Sequence, residues 1–148
     1  KCMYGGIICD GNHSTPAALR MFFDAKGPHY GIMVSDALMA KGSPAGSKFI
    51  FGGNEIEIYE DGSAHLTSSK GLAGSTLNIN KGLRILIEEA LVPMDTAINS
   101  CTKNPAECLH IEDRKGSIKV GLDADLVVLD RDYNVLQTYC MGKAMLEK

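Results

Sequence analysis

Two short apolar runs, Tyr4 to Cys9 and Tyr30 to Val34, with a helix-forming stretch between them, constrain the fold most tightly. The second carries no polar alternation, so it reads as a buried strand of a parallel sheet rather than a half-wet one. Between the runs, Ser14 or Thr15 can cap a helix whose first position is Pro16, where a missing N–H costs nothing. Leu19, Phe22 and Phe23 share one face of that helix, and Lys26-Gly27-Pro28 is its stop signal. Strand, helix, strand is one βαβ unit. Each strand ends in a polar tip: Asp10-Gly11-Asn12-His13 after the first, Ser35-Asp36-Ala37 after the second. Ligands and catalytic groups collect at the C-terminal strand ends of such folds, which singles out Asp36. Its plain alternative is a cap on the next turn.

Beyond this unit the texture changes twice. Lys41 to Ser47 has the composition of a mobile loop. Phe49 to Phe51, Glu55 to Tyr59 and Ala64 to Leu66 then read as three short antiparallel strands, with an Asp61-Gly62 turn before the third. The Glu/Ile alternation of the middle strand predicts one wet face. Gly71 to Leu77 is a small-residue loop opening a helix whose apolar face is Leu83, Leu86, Ile87, Ala90 and Leu91. A second helix, roughly Met94 to Thr102, is expected to bury Ala97, Ile98 and Cys101, and Asn104 as cap with Pro105 at the first position restarts a short third one. From Gly116 onward the chain is glycine-punctuated and strand-forming, with Leu126 to Leu129 of buried type, so a boundary is expected near Ile111 to Gly116.

The chain has 148 residues, enough for one compact domain, and its 45% hydrophobic and 22% charged content is that of an ordinary globular protein. A net charge of −3 with no basic cluster argues against a nucleic-acid partner. No apolar run approaches a membrane span, and the opening is not a signal peptide, so no membrane partner is expected. Because Lys1 leads into a strand-like run within a few residues, the sequence reads as a piece of a longer chain. Five cysteines without a CxxC pair read mostly as buried free thiols in a reducing cytoplasm. Four histidines are widely spaced, with neither H-x-H nor H-E-x-x-H, and no zinc site is recognisable.

Gly116 to Asp130, read as Gly-Ser-Ile-x-x-Gly-x-Asp-Ala-Asp-Leu-Val-Val-Leu-Asp, resembles the closing signature of the amidohydrolase superfamily. Within it, Asp10-Gly11-Asn12-His13, Ser35-Asp36-Ala37 and Leu72-Ala73-Gly74-Ser75-Thr76-Leu77 follow the order and spacing of N-acetylglucosamine-6-phosphate deacetylases. The Phe-x-Phe-Gly-Gly and Asp-Gly hairpin fits as well, while Asn12 stands where that family usually has an aliphatic residue. The resemblance covers essentially the whole chain.

What it implies is an α/β fold: the last two strands and helices of a metal-dependent TIM (β/α)8 barrel, plus C-terminal strands of a small β-sandwich. Such a barrel needs roughly 250 residues. Residues 1–112 would be the barrel part, with a β-hairpin insertion at about 49–67, and residues 113–148 the sandwich part. The family's metal ligands, one Glu and two His, and its phosphate-gripping arginine lie on earlier strands. The resemblance therefore implies a divalent metal, zinc or iron, in the full-length parent and none in this piece. It makes Asp36 general base to the metal-activated water and then general acid to the amine, with His13, Asp10, Gly11, Asn12, Leu72, Ala73 and Gly74 contacting a phosphorylated amino sugar. His13 alternatively caps its loop, and Leu72 to Gly74 alternatively only lead into a helix. Asp123 and Asp125 read as turn residues, and His29, His65 and His110 receive no role. Other readings are a cyclic-amide hydrolase, a deaminase, or a non-catalytic piece that self-associates, and the parent is expected to be a cytoplasmic homo-oligomer.

Overall fold

The computed structural model describes residues 3–145. Strands β1 (Gly5–Ile8) and β2 (Gly31–Val34) pair in parallel, in the register Gly5↔Gly31 to Ile8↔Val34. Helix α1 (Pro16–Tyr30) crosses between them, completing the expected βαβ unit. Thr15 is its cap, accepting a hydrogen bond from the Ala18 N–H at 3.3 Å, with Pro16 at the first helical position. The stop signal acts as a kink: Gly27 leaves helical geometry at φ 64°, and the helical path resumes at Pro28 as far as Tyr30.

Leu19 and Phe23 of α1 are buried against Cys9, Met33 and Leu86, forming the main core. Gly31 permits that contact, since a Cβ there would meet the Phe23 ring at 2.6 Å. Asn104 secures the same point from the other side. Fully buried, it donates through Nδ2 to the carbonyls of Gly31 at 2.8 Å and Pro28 at 3.2 Å. Sequence pattern placed Asn104 as a cap, but it sits inside α4 (Lys103–Cys108), whose cap position is Thr102. Its tertiary hydrogen bonds replace local ones.

Three antiparallel strands, β3 (Lys48–Phe51), β4 (Asn54–Ile58) and β5 (Ala64–Leu66), form the second sheet in the order β3-β4-β5. Ile56 and Ile58 are buried with Ala40 and Ala64, and Glu55 is exposed, which is the wet-face alternation expected. The loop before it is tethered rather than free: Gly46 N–H donates to the Ile58 carbonyl and Ile58 N–H to the Ser47 carbonyl.

Helix α2 (Ile79–Arg84) runs into a π-helical turn, Ile85–Glu89, closed by Ala90 N–H donating to the Ile85 carbonyl. The extra residue rotates the chain leaving the turn, so Leu91 points outward and Val92 is buried instead. In α3 (Met94–Cys101), Thr96, Ala97 and Ser100 face inward while Ile98 is exposed. Strands β6 (Leu126–Leu129), β7 (Val135–Cys140) and β8 (Lys143–Ala144) form the third, antiparallel sheet. The expectation that β6 is buried fails within this chain, because Val127 and Val128 are exposed. Asp123 and Asp125 are turn residues held by Lys115, and Asp125 also accepts from the Met141 N–H, which ties the turn to the sheet.

Cysteines follow no single pattern. Cys9 is buried, Cys101 partly so, Cys108 and Cys140 are exposed, and Cys2 lies outside the described residues. Burial pushes the Cys9 thiol up to about 12 and that of Cys101 to about 11, which leaves both inert as nucleophiles.

Candidate active site

The tip of β2 turns sharply. Asp36 adopts a left-handed backbone, φ 47°, which a non-glycine residue holds only when its surroundings fix it. Ser75 does the fixing: its N–H donates to the Asp36 carbonyl at 2.8 Å, and its own carbonyl accepts from Leu38 N–H at 2.8 Å. Gly74 precedes it at φ 58°, where a Cβ would lie 2.7 Å from Leu38 and 3.2 Å from the Asp36 carbonyl oxygen. The glycine is therefore required twice over, by conformation and by space. With its main chain pinned, the Asp36 carboxylate is exposed and has no hydrogen bond or ion pair among the described residues.

The tip of β1 is organised around Asp10. One carboxylate oxygen accepts from the N–H groups of Asn12 and His13, both at 2.9 Å, and the other faces His13 Nδ1 at 2.7 Å. Burial, the largest single influence, raises the Asp10 carboxyl, but the His13 and Asn12 hydrogen bonds together outweigh it and hold it below its ordinary value. An ionised Asp10 makes His13 Nδ1 the donor, so Nε2 is left for another partner.

Asp36, His13 and Ser14 line one open cleft of about 450 Å³ with Gly6, Ile8 and Val34. A smaller cavity of about 170 Å³ adjoins it through His13 and is walled by Asp10, Asn12, Leu72 and Gly74, with Lys81 and Arg84 at its edge. Asp36, His13, Asp10, Asn12, Leu72 and Gly74 thus border two adjoining spaces, while the other two expected site residues serve the backbone. Gly11 forms the turn at φ 80°. Ala73 packs on the β3–β5 cluster and donates its N–H to the Ala64 carbonyl at 2.9 Å. Sequence reasoning missed Ser75, which is buried, touches Asp10 Oδ2 through Oγ at 3.4 Å and accepts from Leu77 N–H at 2.9 Å. It joins the two strand tips. A hydroxyl inside a small-residue loop was the available signal.

Among the described residues no three His, Cys, Asp or Glu side chains converge as a metal shell requires. His13 Nδ1 is committed to Asp10, and Asp36 stands as a lone carboxylate, so the donors present do not make a metal site by themselves.

Residues 32–145 match the family described as Amidohydrolase family. The chain belongs to that family. It is 40% identical over 136 residues to N-acetylglucosamine-6-phosphate deacetylase of Bacillus subtilis, covering 92% of this chain and 34% of that one. Against the human protein of the same name it is 35% identical over 144 residues, covering 97% and 34%. The crystal structure of N-acetylglucosamine-6-phosphate deacetylase from Pasteurella multocida superposes with a TM-score of 0.91 at 28% identity, over 99% of this chain and 38% of the other. The chain therefore spans about a third of the length of the curated relatives it matches.

Proposed function

We propose that the full-length protein hydrolyses N-acetylglucosamine 6-phosphate to glucosamine 6-phosphate and acetate, and that this chain supplies its general base and one wall of its sugar site. The observation that carries the reading is Asp36: a carboxylate without a partner among the described residues, on a backbone held in a strained turn, opening on the same cleft as His13. The names of the relatives, at 40% and 35% identity, support the substrate.

In this reading the attacking water loses its proton to Asp36 as its oxygen bonds to the acetyl carbon. Asp36 then gives that proton to the amide nitrogen as the C–N bond breaks, releasing acetate and the amine. His13, oriented by Asp10, presents Nε2 to the sugar or the reacting carbonyl. Asn12 and the Leu72 to Gly74 main chain close the wall. The family is generally metal-dependent; a divalent metal, zinc or iron, would polarise the carbonyl and acidify the water. It is held, in this proposal, by residues outside this chain, and the 148-residue chain alone turns over nothing.

The same proposal places residues 1–112 in a TIM barrel and residues 113–148 in a small β-sandwich that other segments of the full-length, cytoplasmic, homo-oligomeric protein complete. The uncovered apolar residues of β6 and β7 support that placement. Left uncovered, such strands are adhesive, so the isolated chain self-associates. A substrate panel tests the activity. Acetate from N-acetylglucosamine 6-phosphate is the expected product; ammonia release or cyclic-amide opening in its place would move the protein elsewhere in the family.

A further inference from the structure

His65 lies on β5, outside the cleft, and its ring is held at both nitrogens. Ser63 Oγ donates to Asp61 Oδ1 at 2.5 Å and lies 2.8 Å from His65 Nε2. The other ring nitrogen, Nδ1, is 2.8 Å from the carbonyl oxygen of Lys70, which can only accept, so Nδ1 carries a proton and donates it.

Tyr59 stacks on the ring with centroids 4.1 Å apart, which fixes its plane. Glu57 is the cross-strand partner of His65 on β4, and Asp61 faces it through Ser63. Hydrogen bonds from the Ser63 side chain and N–H hold the Asp61 carboxyl low, so the anion persists.

This relay is attached to the site. Lys70 stands in the left-handed region at φ 57° immediately before Gly71 and Leu72. Leu66 N–H donates to the Gly71 carbonyl, His65 bridges Leu72, and Ala73 N–H donates to the Ala64 carbonyl. At the other end, Thr76 Oγ1 donates to the Gly62 carbonyl. We propose that His65 is a positioning residue that seats the Leu72 to Gly74 wall by holding the Lys70 carbonyl through Nδ1–H. The inference rests on the reading of that wall as part of the substrate site.

Two measurements on the full-length protein separate the relay from that reading. In the first, selectively 15N-labelled histidine shows a proton on His65 Nδ1, the signal being assigned by its loss in His65→Gln. A bare Nδ1 overturns the relay. In the second, deuterium exchange at fixed pH of a peptide covering residues 70–76 is about tenfold faster in both His65→Gln and Ser63→Ala. Unchanged exchange in either variant overturns the positioning role, whatever the enzyme's activity. With N-acetylglucosamine 6-phosphate, KM in His65→Gln rises roughly three- to tenfold while kcat stays within about twofold, as loss of binding alone requires. A fall in kcat at constant KM would contradict it. Absence of acetate release in the wild type would refute the deacetylase reading, leaving the first two results to decide the relay.

Discussion

The βαβ end and the C-terminal sheet are both written in apolar strands, yet only the first packs a buried core. Around β1 and β2, Cys9 and Leu19 are 0% exposed, Phe23 2% and Met33 4%. In the last sheet Val127 is 60% exposed and Leu136 55%, and among the described residues none beyond Ala106 is buried. The first region carries its own cover, since α1 and α3 lie on the parallel pair. The second has turns, a ladder and an ion-paired corner at Lys115, but no layer above it among the described residues. An apolar strand sequence thus specifies a strand that requires cover. In the proposed sandwich that cover is specified elsewhere, and the relatives are about three times as long.

That contrast can be broken by substitution. Phe23→Ala empties the centre of the core and should cost about 3–5 kcal/mol in denaturant unfolding. A loss below about 1 kcal/mol would mean that the βαβ end is not the stable region. Val127→Asp sharpens the other side. In the 148-residue chain it should change stability by less than about 0.5 kcal/mol, as an exposed substitution does. In the full-length protein, where the face is proposed to be covered, the same change should cost about 2–4 kcal/mol. Equal effects in both would contradict the sandwich placement.

Smaller effects probe the strand tips. Asp10 has a folded value below its unfolded one, so it stabilises the fold above roughly pH 4, and this contribution is lost as acid carries the pH down through the folded value. Asp10→Asn should therefore cost about 1–2 kcal/mol at pH 7 and flatten the acid limb of the stability curve. An unchanged acid limb would remove Asp10 as the holder of His13. Thr15→Ala, which loses only the cap on α1, should cost about 1 kcal/mol by thermal unfolding.

Local chemistry made much of this legible. The Thr15-Pro16 cap, the Ile56 and Ile58 alternation and the Asp61-Gly62 turn depend on residues within a few positions of one another, and the structure has them as read. Asn104, Leu91 and Ser75 were misread or missed because their roles are set across space. Asn104 reaches a strand start 73 residues away. Leu91 is displaced by the π turn, which no apolar period announces. Ser75 reaches Asp10 from 65 residues away. For the site, the motifs marked Asp36 and His13 as candidates. Their opening on one cleft, and the Asp10 contact that orients the imidazole, needed the fold.

The most direct test of Asp36 as the general base is kcat for acetate release from N-acetylglucosamine 6-phosphate by the full-length protein beside its Asp36→Asn variant, with folding checked by thermal unfolding. The expected result is a loss of about 10²–10⁴-fold in kcat in a variant of unchanged stability. A kcat within about threefold of wild type would contradict the assignment and return Asp36 to the role of a turn residue.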